Sequence, residues 1–164
     1  MKKITNIILL LIIVAAVVLA FFMIDIKSTD DYYKEKGNNS GKTAGSVTIT
    51  IRCDDIEDRS AKHIPDDGII LKSTKMKFKK NSTVYDILLE ATAKNKIHLE
   101  TSGSENSAYV VGMGNIYTLD FGEMSGWSYY VNGEMPTLGC AEYKVKDGDK
   151  IEWVYICDFG KVFG

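Results

Sequence analysis

From Ile7 to Ile24 the sequence runs through eighteen apolar residues without a charge, glycine or proline. As a helix, at about 1.5 Å per residue, this run reaches about 27 Å, close to the roughly 30 Å hydrocarbon core of a bilayer. Lys2 and Lys3 precede it, and Asp25, Asp30 and Asp31 follow it. The positive-inside rule therefore predicts a cytoplasmic stub over 1–6, a transmembrane signal anchor over 7–24, and everything beyond it outside the membrane. The competing reading is a cleaved signal peptide, which would leave the domain secreted. Phe21, Phe22 and Met23 stand where such a peptide needs small residues, and no Cys follows the run to carry a lipid. Residues 25–46 lose all apolar periodicity and turn to Lys, Asp, Gly, Asn and Ser, the composition of a flexible stalk.

Beyond the stalk, over 47–164, the pattern is that of a folded domain. Val47, Ile49, Ile51 and Cys53 alternate with polar residues, which predicts a half-buried strand. Residues 54–68 form a polar loop ending at Asp67-Gly68. Ile69 to Leu71, then Met76 and Phe78 among lysines, predict one or two further strands, with Lys75, Lys77 and Lys79 protecting an edge. Val84, Ile87, Leu88 and Ala91 fall at i, i+3, i+4 and i+7 and predict a helix. Ser82 or Thr83 can cap it, and Asp86 suits the positive end of its dipole. Short strands follow at 97–100, 108–111, 127–131 and 150–157. Val131-Asn132-Gly133 carries the residues of a type I′ turn, and Asp147-Gly148-Asp149 those of a second turn. Val154 and Ile156 make both faces of the last strand apolar, which places it centrally. The class is α+β, a β-grasp-like mixed sheet with one helix.

Composition narrows the function. Of the 164 residues, 20 are basic and 22 acidic, a formal net charge of −2, and setting aside Lys2 and Lys3 makes the remainder more acidic. That balance argues against nucleic acid as a partner. No spacing joins His63 or His98 to a Ser, Cys or carboxylate as a catalytic set would require, so the chain reads as non-catalytic. Gly112-Met113-Gly114 lacks the third glycine of a dinucleotide fingerprint. The acidic run Asp54, Asp55, Glu57 and Asp58 lacks the Gly and distal Glu of a calcium loop and reads as a solvated loop, so no metal site is expected.

Two features remain. In an oxidising exterior a Cys140–Cys157 disulfide would close a loop of about 17 residues and contribute roughly 3 kcal/mol; the alternative is two buried thiols. Cys53 is then left as a free thiol on the first strand. Around the 122–133 stretch, Trp127, Tyr129 and Val131 share one strand face, which core packing alone explains. Tyr130, with Met124, Met135 and Leu138 on nearby loops, could instead line a surface for a flat apolar ligand.

The segments Ser82-Thr83-Val84-Tyr85-Asp86-Ile87-Leu88, GEMSGWSYYVNG over 122–133 and GCAEYKVKDGDKIEWVY over 139–155 resemble the transcobalamin-like C-terminal domain, whose bacterial members are catalogued as a domain of unknown function. The resemblance covers Val47 to Gly164. In the animal cobalamin carriers this small domain closes over a corrin ring seated mainly on a larger helical barrel. The resemblance thus implies a β-grasp-type fold and binding of cobalamin or another corrinoid, with no cofactor required. Carried over by position, the contact region falls on Trp127, Tyr129, Tyr130, Asn132, Met135, Pro136 and Leu138, with Met124 beside them. Two departures are visible: the helical barrel is missing, and Phe121 stands where bacterial relatives carry Cys. The reading is a membrane-anchored extracellular binding module that passes a corrinoid to a membrane importer. Its alternative is a cell-surface interaction or adhesion module without a small ligand.

Overall fold

The structure is a computed structural model that describes residues 42–104 and 107–163. The expected cytoplasmic stub, the membrane anchor over 7–24 and nearly all of the stalk lie outside the described residues. Among the described residues no helix is long and apolar enough to cross a membrane. The chain forms β1 (Thr43–Arg52), β2 (Ile69–Lys79), α1 (Val84–Asn95), β3 (Leu99–Ser102), β4 (Tyr109–Met113), β5 (Ile116–Tyr117), β6 (Gly126–Val131), β7 (Lys150–Ile156) and α2 (Phe159–Phe163). Two sheets result, one of four strands in the order β2-β1-β7-β6 and one of three in the order β3-β4-β5.

The α+β class stands. The four-stranded sheet with α1 answers to the expected mixed sheet and helix. The strands expected at 97–100 and 108–111 form as β3 and β4, but in a separate sheet with β5, and that separation, β5 and α2 lie outside the expectation. β1 begins at Thr43, four residues before Val47, because Thr43 to Ser46 already pair with the end of β2. Gly148 and Asp147 secure this extension: Gly148 N–H donates to Ser46 O, and Ser46 N–H donates to Asp147 Oδ1.

β1 and β7, the first and last strands, run parallel at the centre of the sheet, from Thr48 opposite Lys150 to Arg52 opposite Val154. β7 is thus central, as its two apolar faces require, and β6 pairs with it antiparallel as an edge strand. β2 is one strand and not two. Ile49 lies opposite Thr74 but Ile51 opposite Leu71, so three residues of β2 face two of β1. This bulge shifts the buried phase from Leu71 to Met76 and Phe78.

α1 presents Val84, Ile87, Leu88 and Ala91 to the core, as its periodicity predicts. Thr83 is the cap: Thr83 Oγ1 accepts from Asp86 N–H at 3.1 Å, while Asp86 Oδ2 accepts from Thr83 N–H at 2.9 Å. Ser82 serves the preceding turn instead, accepting from Lys79 N–H. The helix stops at Lys96, which is left-handed with φ 54°. Val47, Ile49 and Ile51 of β1, the helix face, and Ile151, Trp153 and Tyr155 of β7 share one core.

Candidate functional site

The two ends of β6 carry the residues singled out above, and the structure divides them. Trp127 and Tyr129 are core. Trp127 Nε1–H donates to Ile116 O at 2.9 Å, and its ring meets Tyr155 edge-on at 5.3 Å. Tyr129 stacks obliquely on Trp153, its hydroxyl donates to Leu138 O, and burial pushes its pKa up to about 12. Tyr130, one residue on, lies half-buried on the opposite face of the sheet beside Glu152. Leu138, anchored through its carbonyl on the Tyr129 side, is 51% exposed, with Met135 and Pro136 half-buried on the same loop. Tyr130 thus points away from Tyr129, to whose hydroxyl the Leu138 carbonyl is bonded.

That loop is held firmly at its start. Asn132 and Gly133 both take positive φ, 56° and 85°, the two left-handed positions of a type I′ turn. The turn closes only on the isolated pair Val131–Glu134, so it redirects the chain and does not join two full strands. Asn132 Nδ2 donates to the buried Asp149 at 2.9 Å, and Asn132 Oδ1 accepts from Lys150 N–H at 2.9 Å. Asp149 Oδ2 also accepts from Lys146 N–H. Asn132 thus ties both turns named in the sequence together.

Met124 lies at the other end of β6. It lines a cleft of about 800 Å³ shared with Phe121, Gly122, Glu123, the loop carrying Asp55, Glu57 and Asp58, the end of β7 at Ile156 and Cys157, and Asp158, Lys161 and Val162. Phe159 N–H donates to Met124 O and closes the 121–124 loop against α2. Cys157 N–H donates to Asp55 Oδ2 at 2.7 Å, joining the acidic loop to the end of β7. Asp58 is held below the usual carboxylate range by the Ser60 hydroxyl and then by Ser60 N–H. The cleft combines apolar side chains with five carboxylates and one ammonium. Sequence reasoning saw the acidic run but not the cleft, because its three walls come from segments about 65 and 35 residues apart in the chain.

The expected Cys140–Cys157 disulfide is not formed: all three cysteines are free. Cys140 Sγ–H donates to Ala108 O and Cys157 Sγ–H to Asp55 O, each at 3.4 Å, so the two thiols are committed to different elements. Burial pushes Cys53, Cys140 and Cys157 each up to about 11, with the Asp55 carboxylate adding to the effect at Cys157. At neutral pH all three are protonated and poorly nucleophilic. His98 Nε2 meets the Tyr117 hydroxyl at 3.0 Å on the surface. Among the described residues no group of His, Cys, Asp and Glu is placed to hold a metal ion.

Residues 81–156 match the family described as a domain of unknown function, DUF4430. No relative among curated proteins matches the chain. Among solved structures the fold is similar to haptocorrin in complex with Cbi, at 16% identity and a TM-score of 0.53, over 68% of this chain and 25% of that one. The chain thus spans about a quarter of haptocorrin's length. A second similar structure is a protein from Ruminococcus gnavus provisionally described as metal-binding, at 15% identity and a TM-score of 0.42, over 68% of this chain and 96% of that one.

Proposed function

We propose that this domain is a non-catalytic binding module, held outside the cell by residues 7–24, whose ligand is a corrinoid met by the 132–138 loop at the edge of β6. The observation that supports this most is the shared fold with haptocorrin, whose structure is a ligand complex. The loop suits the role physically. Its base is fixed by Asn132 through Asp149 and Lys150, while Leu138 stays exposed and Met135 and Pro136 offer apolar surface beside it. A flat ring gains most from such a surface when little ordering is left to do on binding. Delivery to a membrane importer completes this reading.

A titration of the full chain in nonionic detergent with cobinamide and with cobalamin, followed by absorbance and calorimetry, tests it. Saturable binding is expected, weakened at least about tenfold by Leu138→Ala and left intact by Tyr130→Ala. Binding weakened by Tyr130→Ala alone would move the ligand to the other face of the sheet. No saturation at about 1 mM ligand would remove the corrinoid reading.

A further inference from the structure

Exposed apolar surface is concentrated at the α2 end of the sheet. Five large apolar side chains are exposed among the described residues, and four of them, Tyr109, Leu119, Met124 and Val162, with 44–60% of their surface open, lie there. Local bonds draw these four together. The Tyr109 hydroxyl meets Thr118 Oγ1 beside Leu119, Leu119 N–H donates to Ser125 O next to Met124, and Met124 and Val162 both line the cleft. Isolated apolar residues on a surface need no explanation, but a group of them gathered beside a cleft does.

The charges lining the cleft are five carboxylates against one ammonium, and they are only partly used. Among the described residues Lys161 is the sole cation lining the cleft, and it already pairs with Asp158 at 3.7 Å. Asp55 is engaged by Cys157 N–H. Glu57 and Glu123 stand on opposite loops, both exposed, and accept no hydrogen bond among the described residues. We propose that this cleft is a docking site for a basic amphipathic segment of a partner polypeptide, in which Lys or Arg side chains alternate with apolar ones.

The apolar side chains of such a segment cover Met124 and Val162, and its cations meet Glu57 and Glu123. A small ligand would call for an enclosed, mainly apolar pocket with a few polar groups. Here carboxylates on three separate segments surround a cleft open to solvent, which matches cations spaced along an extended chain. This surface is at the opposite end of β6 from the 132–138 loop, so it stands or falls independently of the corrinoid.

The test uses the full chain in nonionic detergent and a fluorescent peptide, Lys-Leu-Lys-Leu-Arg-Leu-Lys, read by anisotropy at low salt. Saturable binding is expected, weakened roughly fivefold or more in the Glu57→Gln/Glu123→Gln double variant and again by added salt. Both carboxylates are exposed and unbonded, so the variant should unfold at the same denaturant concentration as the parent. The charge-matched control, Glu134→Gln/Glu142→Gln, lies outside the lining of the cleft and should leave binding unchanged. A peptide with serine in place of leucine should bind several-fold more weakly.

Equal loss in the control variant would show general charge attraction and overturn the proposal. Equal binding of the serine peptide would remove the apolar part of the site, and with it the proposal. If a second copy of the chain fills the cleft, the peptide fails to bind and the Glu57→Gln/Glu123→Gln variant changes the sedimentation of the protein instead, which also overturns it.

Discussion

At the residue scale, Tyr155 concentrates more interactions than any local pattern could announce. It is fully buried, its ring meets Phe121 and Trp127 edge-on, and its hydroxyl bridges Ser125 Oγ and Tyr117 O, each at 2.8 Å. Through that one oxygen β7 is pinned both to the loop before β6 and to β5. Tyr155→Phe keeps the ring but removes both of these hydrogen bonds, so it should lower stability by about 1–3 kcal/mol, measurable as a shift in the urea midpoint. A loss under about 0.3 kcal/mol would mean that Ser125 and Tyr117 find other partners. The alternation of Ile151, Trp153 and Tyr155 along β7 carries all three into the core. The partners of the Tyr155 hydroxyl lie 30 and 38 positions away, beyond the reach of any window along the sequence.

Elements were legible in proportion to their length. α1 repeats its apolar stripe over three turns, and that stripe is the face it buries. Its cap is equally local, so Thr83→Ala should cost about 1 kcal/mol while Thr83→Ser costs little, as denaturant unfolding of the two variants would report. Equal losses would shift the role from the hydroxyl to packing of the Thr83 methyl. β5 has two residues and α2 five, too few for any period to show, and both were missed. The break in β2 between Leu71 and Met76 was visible as a change of phase. A phase change reads equally as a turn between two strands or a bulge within one, and only the pairing with β1 decides it. The 132–138 loop shows the same limit: Asn132-Gly133 fixed the turn type, but not that Asn132 would reach across to Asp149.

At the scale of the whole molecule, burial of ionisable groups sets how stability responds to alkali. Cys53, Cys140 and Cys157 move from 9.0 to about 11 on folding, so the folded chain holds these protons more tightly than the unfolded chain. Their contribution is fully present below about pH 9 and is lost as pH rises toward 11. Tyr129, raised from 10.0 to about 12, extends the decline. The urea midpoint should therefore be flat from neutrality to about pH 9 and fall steeply above it, with a shallower fall in Cys140→Ala. A midpoint that stays level to pH 11 would contradict the burial of these thiols.

The central β1–β7 pair has a mechanical consequence. The two strands run parallel, so the chain enters β1 at one end of the sheet and leaves β7 at the other. Tension between the two ends of the domain would then drag these neighbours past one another lengthwise. All five paired positions would carry the load together, and none could be peeled open before the rest. A sheet joined this way yields at a higher force than one whose terminal strands unzip from a corner. The domain is thus suited to holding its shape under tension applied at its two ends.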